Sequence, residues 1–199
     1  MRLEAVIFDL DGTLTVPYLN FDAIREDIGG ISGPILEAML EMPSDERCRC
    51  ENILHRYELD AAENSQLNPG AHRLLDRLRN ENRKIALLTR NRRDSVERVC
   101  RVHGLSFDAV VTREDGPAKP DPFGVYRACE TMKVDPDRCC VVGDYLFDLL
   151  AGRRAGSISV LLSTNENYPQ FAHEADYVIA SLDEMHEVID AIENGRPSL

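Results

Sequence analysis

Six short apolar runs recur along the chain, LEAVIF, KIALLT, FDAVVT, RCCVVGD, ISVLL and DYVIA, each about as long as a buried strand and rich in Val, Ile and Leu. Between them lie AHRLLDRLRNEN, SVERVCRVHG, PFGVYRACETMKV and LFDLLAGRRAG, whose apolar residues fall three and four apart, the spacing of an amphipathic helix. Strands alternating with helices predict an α/β protein with a parallel sheet covered by helices on both faces. Ligands of such sheets bind outside the carboxyl ends of the strands.

One region breaks the rhythm. Residues 15–68 contain no strand-like run, only helical patterns near FDAIREDIG, GPILEAMLEM and SDERCRCENILHRYELDAAENSQ. Turn chemistry marks its borders, Pro17 near the start and Asn68-Pro69-Gly70 at the end, as where a chain leaves a domain and returns. The predicted organisation is therefore a core of residues 1–14 and 69–199 carrying a small all-helical cap of residues 15–68. The terminal ENGRPSL is expected to fray.

Composition narrows the function classes. A length of 199 residues suits one core domain with a modest insertion. The formal net charge of -12 argues against nucleic acid and anionic membranes as partners, and requires any phosphorylated ligand to be held locally against a repulsive field. No stretch is long and apolar enough to span a bilayer, and acidic residues come too early for a signal peptide, so a cytoplasmic location is expected. Cys48, Cys50, Cys100, Cys129, Cys139 and Cys140 lack C-x-x-C spacing and read as reduced structural thiols. The five histidines are scattered, without a ligand-like pair.

The candidate chemistry sits where strand-like runs end. Asp9 and Asp11 close the first run; two residues apart on an extended chain, their side chains point the same way, so that one can attack while the other handles a proton. An Asp-Gly turn would also account for this segment alone. Paired carboxylates call for a hard cation such as magnesium. Asp144 and Asp148 follow CCVV at a spacing of four, which places both on one face of a helical first turn, although Asp144 as a plain N-cap is an alternative. Lys119 lies in a proline-stiffened turn, and Thr89 ends KIALLT, where a hydroxyl and nearby amides suit phosphate oxygens.

With DLDGT, LLT, KPDP and GDYLFD in this order, the sequence resembles the haloacid dehalogenase superfamily of phosphohydrolases, in the branch with a helical cap after the first motif that includes phosphoglycolate phosphatases. The similarity extends to NPGAHRLLDRLR and DLLAGRRAG. The resemblance implies a Rossmann-like sheet and a Mg2+-dependent phosphatase acting on a small phosphorylated metabolite. It implies Asp9 as nucleophile, Asp11 as general acid and base, and Thr89 and Lys119 on the phosphoryl oxygens. Magnesium would be held by the Asp9 carboxylate, the Asp11 carbonyl and Asp144, with Asp148 in support. Arg90 departs from the usual small polar residue after Thr89, and is read as a cation near the substrate or a surface arginine.

Within that resemblance, Asp11 disfavours a dehalogenase, and the lysine-free insertion excludes the Schiff base of phosphonate cleavage. A sugar phosphomutase and a catalytically silent binding or regulatory module are the alternatives. Substrate choice is expected to rest with the cap, whose cationic candidates are Arg25, Arg47, Arg49 and Arg56, with His55 beside them. The chain is expected to act as a monomer or homodimer.

Overall fold

The structure, a computed structural model, describes residues 2–165 and 167–195. Strands β1 (Ala5–Phe8), β2 (Lys84–Leu88), β3 (Ala109–Val111), β4 (Cys139–Gly143), β5 (Ile158–Leu162) and β6 (Tyr177–Ile179) form one parallel sheet in the order β3-β2-β1-β4-β5-β6. Each strand lies in one of the six apolar runs. β1 sits between β2 and β4, with Phe8 opposite Leu87 on one side and Val142 on the other. This register decides where the chemistry goes, because the residues just beyond the three strand ends, Asp9, Thr89 and Asp144, leave the sheet side by side.

Alternation along the strands divides the core between the two faces. Val6, Phe8, Leu87 and Val142 pack under α4 (Ala71–Asn80), α5 (Arg93–His103) and α9 (Met185–Glu193). Ala5, Ile7, Ala86 and Val141 pack under α6 (Phe123–Met132) and α7 (Leu146–Ala155). A short helix α8 (Tyr168–Phe171) covers Leu149 and Leu161. The fold is thus the Rossmann-like α/β sheet covered on both faces.

Between β1 and α4 the chain builds α1 (Phe21–Ile28), α2 (Ile35–Leu40) and α3 (Ser44–Asn64), which close around their own cluster of Ile24, Ile28, Ile35, Met39, Cys50 and Leu54. The two crossings to this insertion are tied together. Val16 N donates to Gln66 O (2.8 Å) and Asn68 N to Leu14 O (2.9 Å). The buried Asn68 amide also donates to the carbonyls of Gly12, Thr13 and Thr15 (3.1, 2.8 and 3.1 Å). One side chain therefore joins the turn after β1 to the returning chain.

The expected fraying of ENGRPSL is corrected at its first residues. Glu193 ends α9, and its carboxylate accepts from Leu3 N (3.0 Å) and Arg83 Nη1 (2.8 Å), which ties it to the start of the sheet. Residues 196–199 of that tail lie outside the described residues. Among the described residues no helix is long and apolar enough to cross a membrane.

Candidate functional site

Asp9, Asp144 and Asp148 are buried at the carboxyl end of the sheet, each offering a carboxylate oxygen within 4.8 Å of the others. Lys119, which is 3% exposed, reaches in from the loop before α6. Its Nζ lies 2.5 Å from both Asp9 Oδ1 and Asp148 Oδ1, and donates to Leu88 O (2.8 Å). The Lys119–Pro120 peptide is cis. Backbone room is part of this geometry. Gly12 has φ of 86°, and a Cβ there would collide with the Asp144 carboxylate; one at Gly143 would collide with Asp148. Only glycine lets these two turns close on the acids.

Asp144 lies before α7, whose N-cap is Tyr145, so the plain N-cap reading of Asp144 is overturned. The shared helical face is corrected too, since Asp148 alone of the pair is helical. Its Oδ2 accepts from Tyr145 N (3.1 Å), while Oδ1 faces Lys119. Asp148 therefore closes the helix start and the acid cluster together.

Asp11 stands beside this cluster, and its Oδ2 accepts from Asn91 Nδ2 (2.6 Å). Thr89, 3% exposed, directly follows β2 and accepts from Asn91 N at Oγ1 (3.2 Å). The turn after β2 thus presents Thr89 and orients Asp11 through Asn91. In the sequence Asn91 is marked by nothing but its place two residues after Thr89.

Arg90, read as a cation near the substrate or a surface arginine, is half-buried and paired. Its guanidinium forms a two-pronged pair with Glu37 of α2 (2.9 and 2.6 Å), donates to Lys119 O, and lies 4.7 Å from the centre of the Phe147 ring. Through these bonds it joins the helical insertion to the segment that carries Lys119. Against the upward push of partial burial, Arg90 holds the Glu37 carboxyl below its ordinary range.

A second joint was not visible in the sequence. Glu58 of α3 is 2% exposed, accepts from Arg92 N (3.3 Å), and pairs with Arg113, which also donates to Arg90 O (2.9 Å). Burial pushes the Glu58 carboxyl up against the pull of Arg113. One glutamate among many on a polar helix carries no sequence signal. The remaining cationic candidates of the insertion are placed apart: Arg25 pairs with Asp22 (2.7 Å), His55 faces Asp94 (2.7 Å), Arg49 and Arg56 are exposed, and Arg47 is half-buried.

The electrostatics test whether a cation fits. Four carboxylates, Asp9, Asp11, Asp144 and Asp148, gather around one ammonium. Burial pushes Asp9 up to about 7 and Asp144 up to about 8, with the neighbouring acids adding to the push. Burial also raises Asp11, against the Asn91 hydrogen bond. Burial opposes the charge on Lys119 too, but Asp148 and Asp9 outweigh it and hold the ammonium above its usual range. One positive charge does not balance these acids, and an all-oxygen set of hard donors suits a divalent ion.

The haloacid dehalogenase-like hydrolase family matches residues 3–156. An uncharacterized hydrolase of Saccharomyces cerevisiae is 30% identical, over 97% of this chain and 92% of its own. An N-acetylmuramic acid 6-phosphate phosphatase of Pseudomonas putida is 29% identical, over 96% of this chain and 98% of its own. A solved hydrolase from Pseudomonas syringae superposes with a TM-score of 0.78 at 26% identity, over 96% of this chain and 99% of its own. On the strength of a match that spans all of its acid-bearing strand ends, this chain belongs to the haloacid dehalogenase-like hydrolases.

Proposed function

We propose that the protein is a magnesium-dependent phosphatase that hydrolyses a small-molecule phosphomonoester through an aspartyl-phosphate intermediate, an acyl phosphate on Asp9. The observation that carries this reading is the convergence of Asp9, Asp144 and Asp148 with the Lys119 ammonium 2.5 Å from the first and last. The phosphatase named above among its relatives supports it.

In this reading an Asp9 oxygen attacks phosphorus, the bond to the ester oxygen breaks, and Asp11 gives its proton to the departing alcohol. Asp11 then takes a proton from water, whose oxygen attacks phosphorus and breaks the bond to Asp9, releasing phosphate. Asn91 holds Asp11 Oδ2 at 2.6 Å, which leaves Oδ1 to handle the proton. Burial raises the affinity of Asp11 for that proton, as an acid that must donate near neutrality requires. Lys119 and Thr89 bind the transferring oxygens, with Lys119 aimed where negative charge develops. Magnesium, held by Asp9, the Asp11 carbonyl and Asp144 with Asp148 in support, would neutralise the clustered acids and the phosphate.

Hydrolysis of 4-nitrophenyl phosphate tests the reading. Turnover with magnesium, abolished by chelator and by Asp9→Asn, is expected. Undiminished turnover in Asp9→Asn, or in excess chelator, contradicts it. An isomerised sugar phosphate without free phosphate would identify a phosphomutase instead.

A further inference from the structure

Of the six thiols that read as structural, two stand as a pair. Cys129 of α6 and Cys139 at the start of β4 bring their sulfurs to 3.5 Å in the interior, ten residues apart in the chain. They lie away from the acid site: Cys139 is the first residue of β4 and Asp144 follows its last, so the pair sits at the opposite end of the sheet. Cys140, next in sequence, is not a competing partner. It points to the other face of the sheet, with Val142, and burial pushes its thiol up to about 12.

The two sulfurs are chemically unequal. Cys139 has two acceptors within reach, Asp135 O at 3.4 Å and Cys129 Sγ, so its proton can turn toward Cys129 when that sulfur becomes a thiolate. The hydrogen bond from Cys139 holds the Cys129 thiol below its ordinary value against the push of burial, and the same bond raises Cys139. One sulfur is suited to attack and the other to follow it. Both are buried, Cys129 at 3% and Cys139 at 0% exposure, but under a short connection. In it Val134 packs on their cluster, while Lys133, Asp135 and Asp137 face solvent. Opening of this connection alone admits a small oxidant.

We propose that Cys129 and Cys139 are a redox-active dithiol, which a peroxide converts to a disulfide that staples α6 to β4. The Cys129 thiolate attacks one peroxide oxygen, the O–O bond breaks, and the departing hydroxide takes up the proton that Cys129 released. Cys129 is then a sulfenic acid. The Cys139 sulfur attacks the Cys129 sulfur, the S–O bond breaks, and the hydroxide released takes the Cys139 proton. The two thiols together lose two electrons and two protons, and one peroxide becomes two waters. The sulfurs approach by about 1.5 Å to reach a bond of about 2.0 Å, a movement shared by side-chain rotation and the short connection. The loop is closed far from the acids, so the staple acts on stability and leaves the acid site intact.

Peptide mapping of the folded, unsubstituted chain tests this. After brief exposure to hydrogen peroxide, the remaining thiols are alkylated and the protein is cut with trypsin without reductant. Segment 128–133 is expected to be joined to segment 139–153, lighter by two hydrogens than the reduced pair and separated by dithiothreitol, with fragment ions placing the bond at Cys139. The joined segments are expected to persist in Cys140→Ser and to be lost in Cys139→Ser. The oxidised protein is expected to melt about 5 °C or more above the reduced one, a difference that Cys129→Ser removes. Free thiols recovered at both positions, a bond that forms only in urea, Cys129 carried to sulfinic acid without a bond, or a bond at Cys140 each overturns the proposal. An unchanged or lowered Tm on oxidation overturns it as well. The mapping decides the pairing even where a variant fails to fold.

Discussion

At the scale of single residues, the site is a problem of charge. Lys119 is the one ammonium among four clustered acids, and it touches two of them at 2.5 Å. Replacing it with Met leaves Asp9 and Asp148 buried and unpaired, so urea denaturation without metal is expected to show a loss of about 3–5 kcal/mol. Retained stability would mean that the acids do not depend on Lys119 for compensation. Asp11→Asn is expected to lower kcat by about 10²–10⁴-fold, the usual weight of a general acid and base, and steady-state kinetics on an alkyl phosphate read this. Asp9, Asp11, Thr89, Lys119, Asp144 and Asp148 were all visible as candidates in the sequence, because each lies at a strand end or in a stiff turn. Asn91 and Glu58 were not singled out. Their parts depend on hydrogen bonds to residues 80 and 34 positions away, which no local pattern encodes.

At the scale of elements, the turn of residues 89–92 connects the insertion to the acids. Glu58 of α3 accepts from the Arg92 amide and Arg113 holds the Arg90 carbonyl, while Asn91 between them reaches Asp11. Arg113→Met strands a buried carboxylate and is expected to destabilise the fold by about 3–5 kcal/mol. Glu58→Gln leaves a neutral amide able to bond the same partners and is expected to cost less. Thermal unfolding of the two variants checks the order, and the reverse order would contradict a buried Glu58–Arg113 pair. The six strands were legible because β-branched and aliphatic runs of strand length are unambiguous in an α/β rhythm. Helix α9 was not named, although Met185, Val188, Ile189 and Ile192 keep helical spacing and are buried. Only ENGRPSL, of which Glu193 closes α9, reads as a frayed tail. The pairing of Arg90 was not legible for another reason: its partners, Glu37 and the Lys119 carbonyl, come from two separate segments.

At the scale of the whole molecule, the segment before β1 and the end of α9 meet at Arg83, which donates to Leu3 O and pairs with Glu81 (2.9 Å) and Glu193 (2.8 Å). Hydrogen bonds from Arg77 and Arg83 hold Glu81 below its ordinary value of 4.5, and the bond from Arg83 does the same for Glu193. The unfolded chain therefore binds these protons at higher pH than the folded one. The stabilisation is present above about pH 4.5 and is lost as pH falls through the lowered folded values. Urea midpoints are expected to fall with acid in that window, and Arg83→Met is expected to flatten the fall; an unchanged slope would contradict the linkage. Magnesium, in the phosphatase reading, is expected to act in the other direction. At roughly a hundredfold excess over Kd, binding to the folded state alone adds about 2.7 kcal/mol, read as a rise in Tm that Asp144→Ala removes.

The claim underlying all of this is that Asp9 itself becomes phosphorylated. Rapid quenching of the magnesium-loaded protein with an alkyl phosphate, followed by mass spectrometry of the acid-stable peptides, measures it directly. The account predicts one added phosphoryl group on the peptide containing Asp9, accumulating further in Asp11→Asn with a good leaving group and absent in Asp9→Asn. Steady turnover with no phosphoryl group on that peptide, or with the group on another residue, would contradict it.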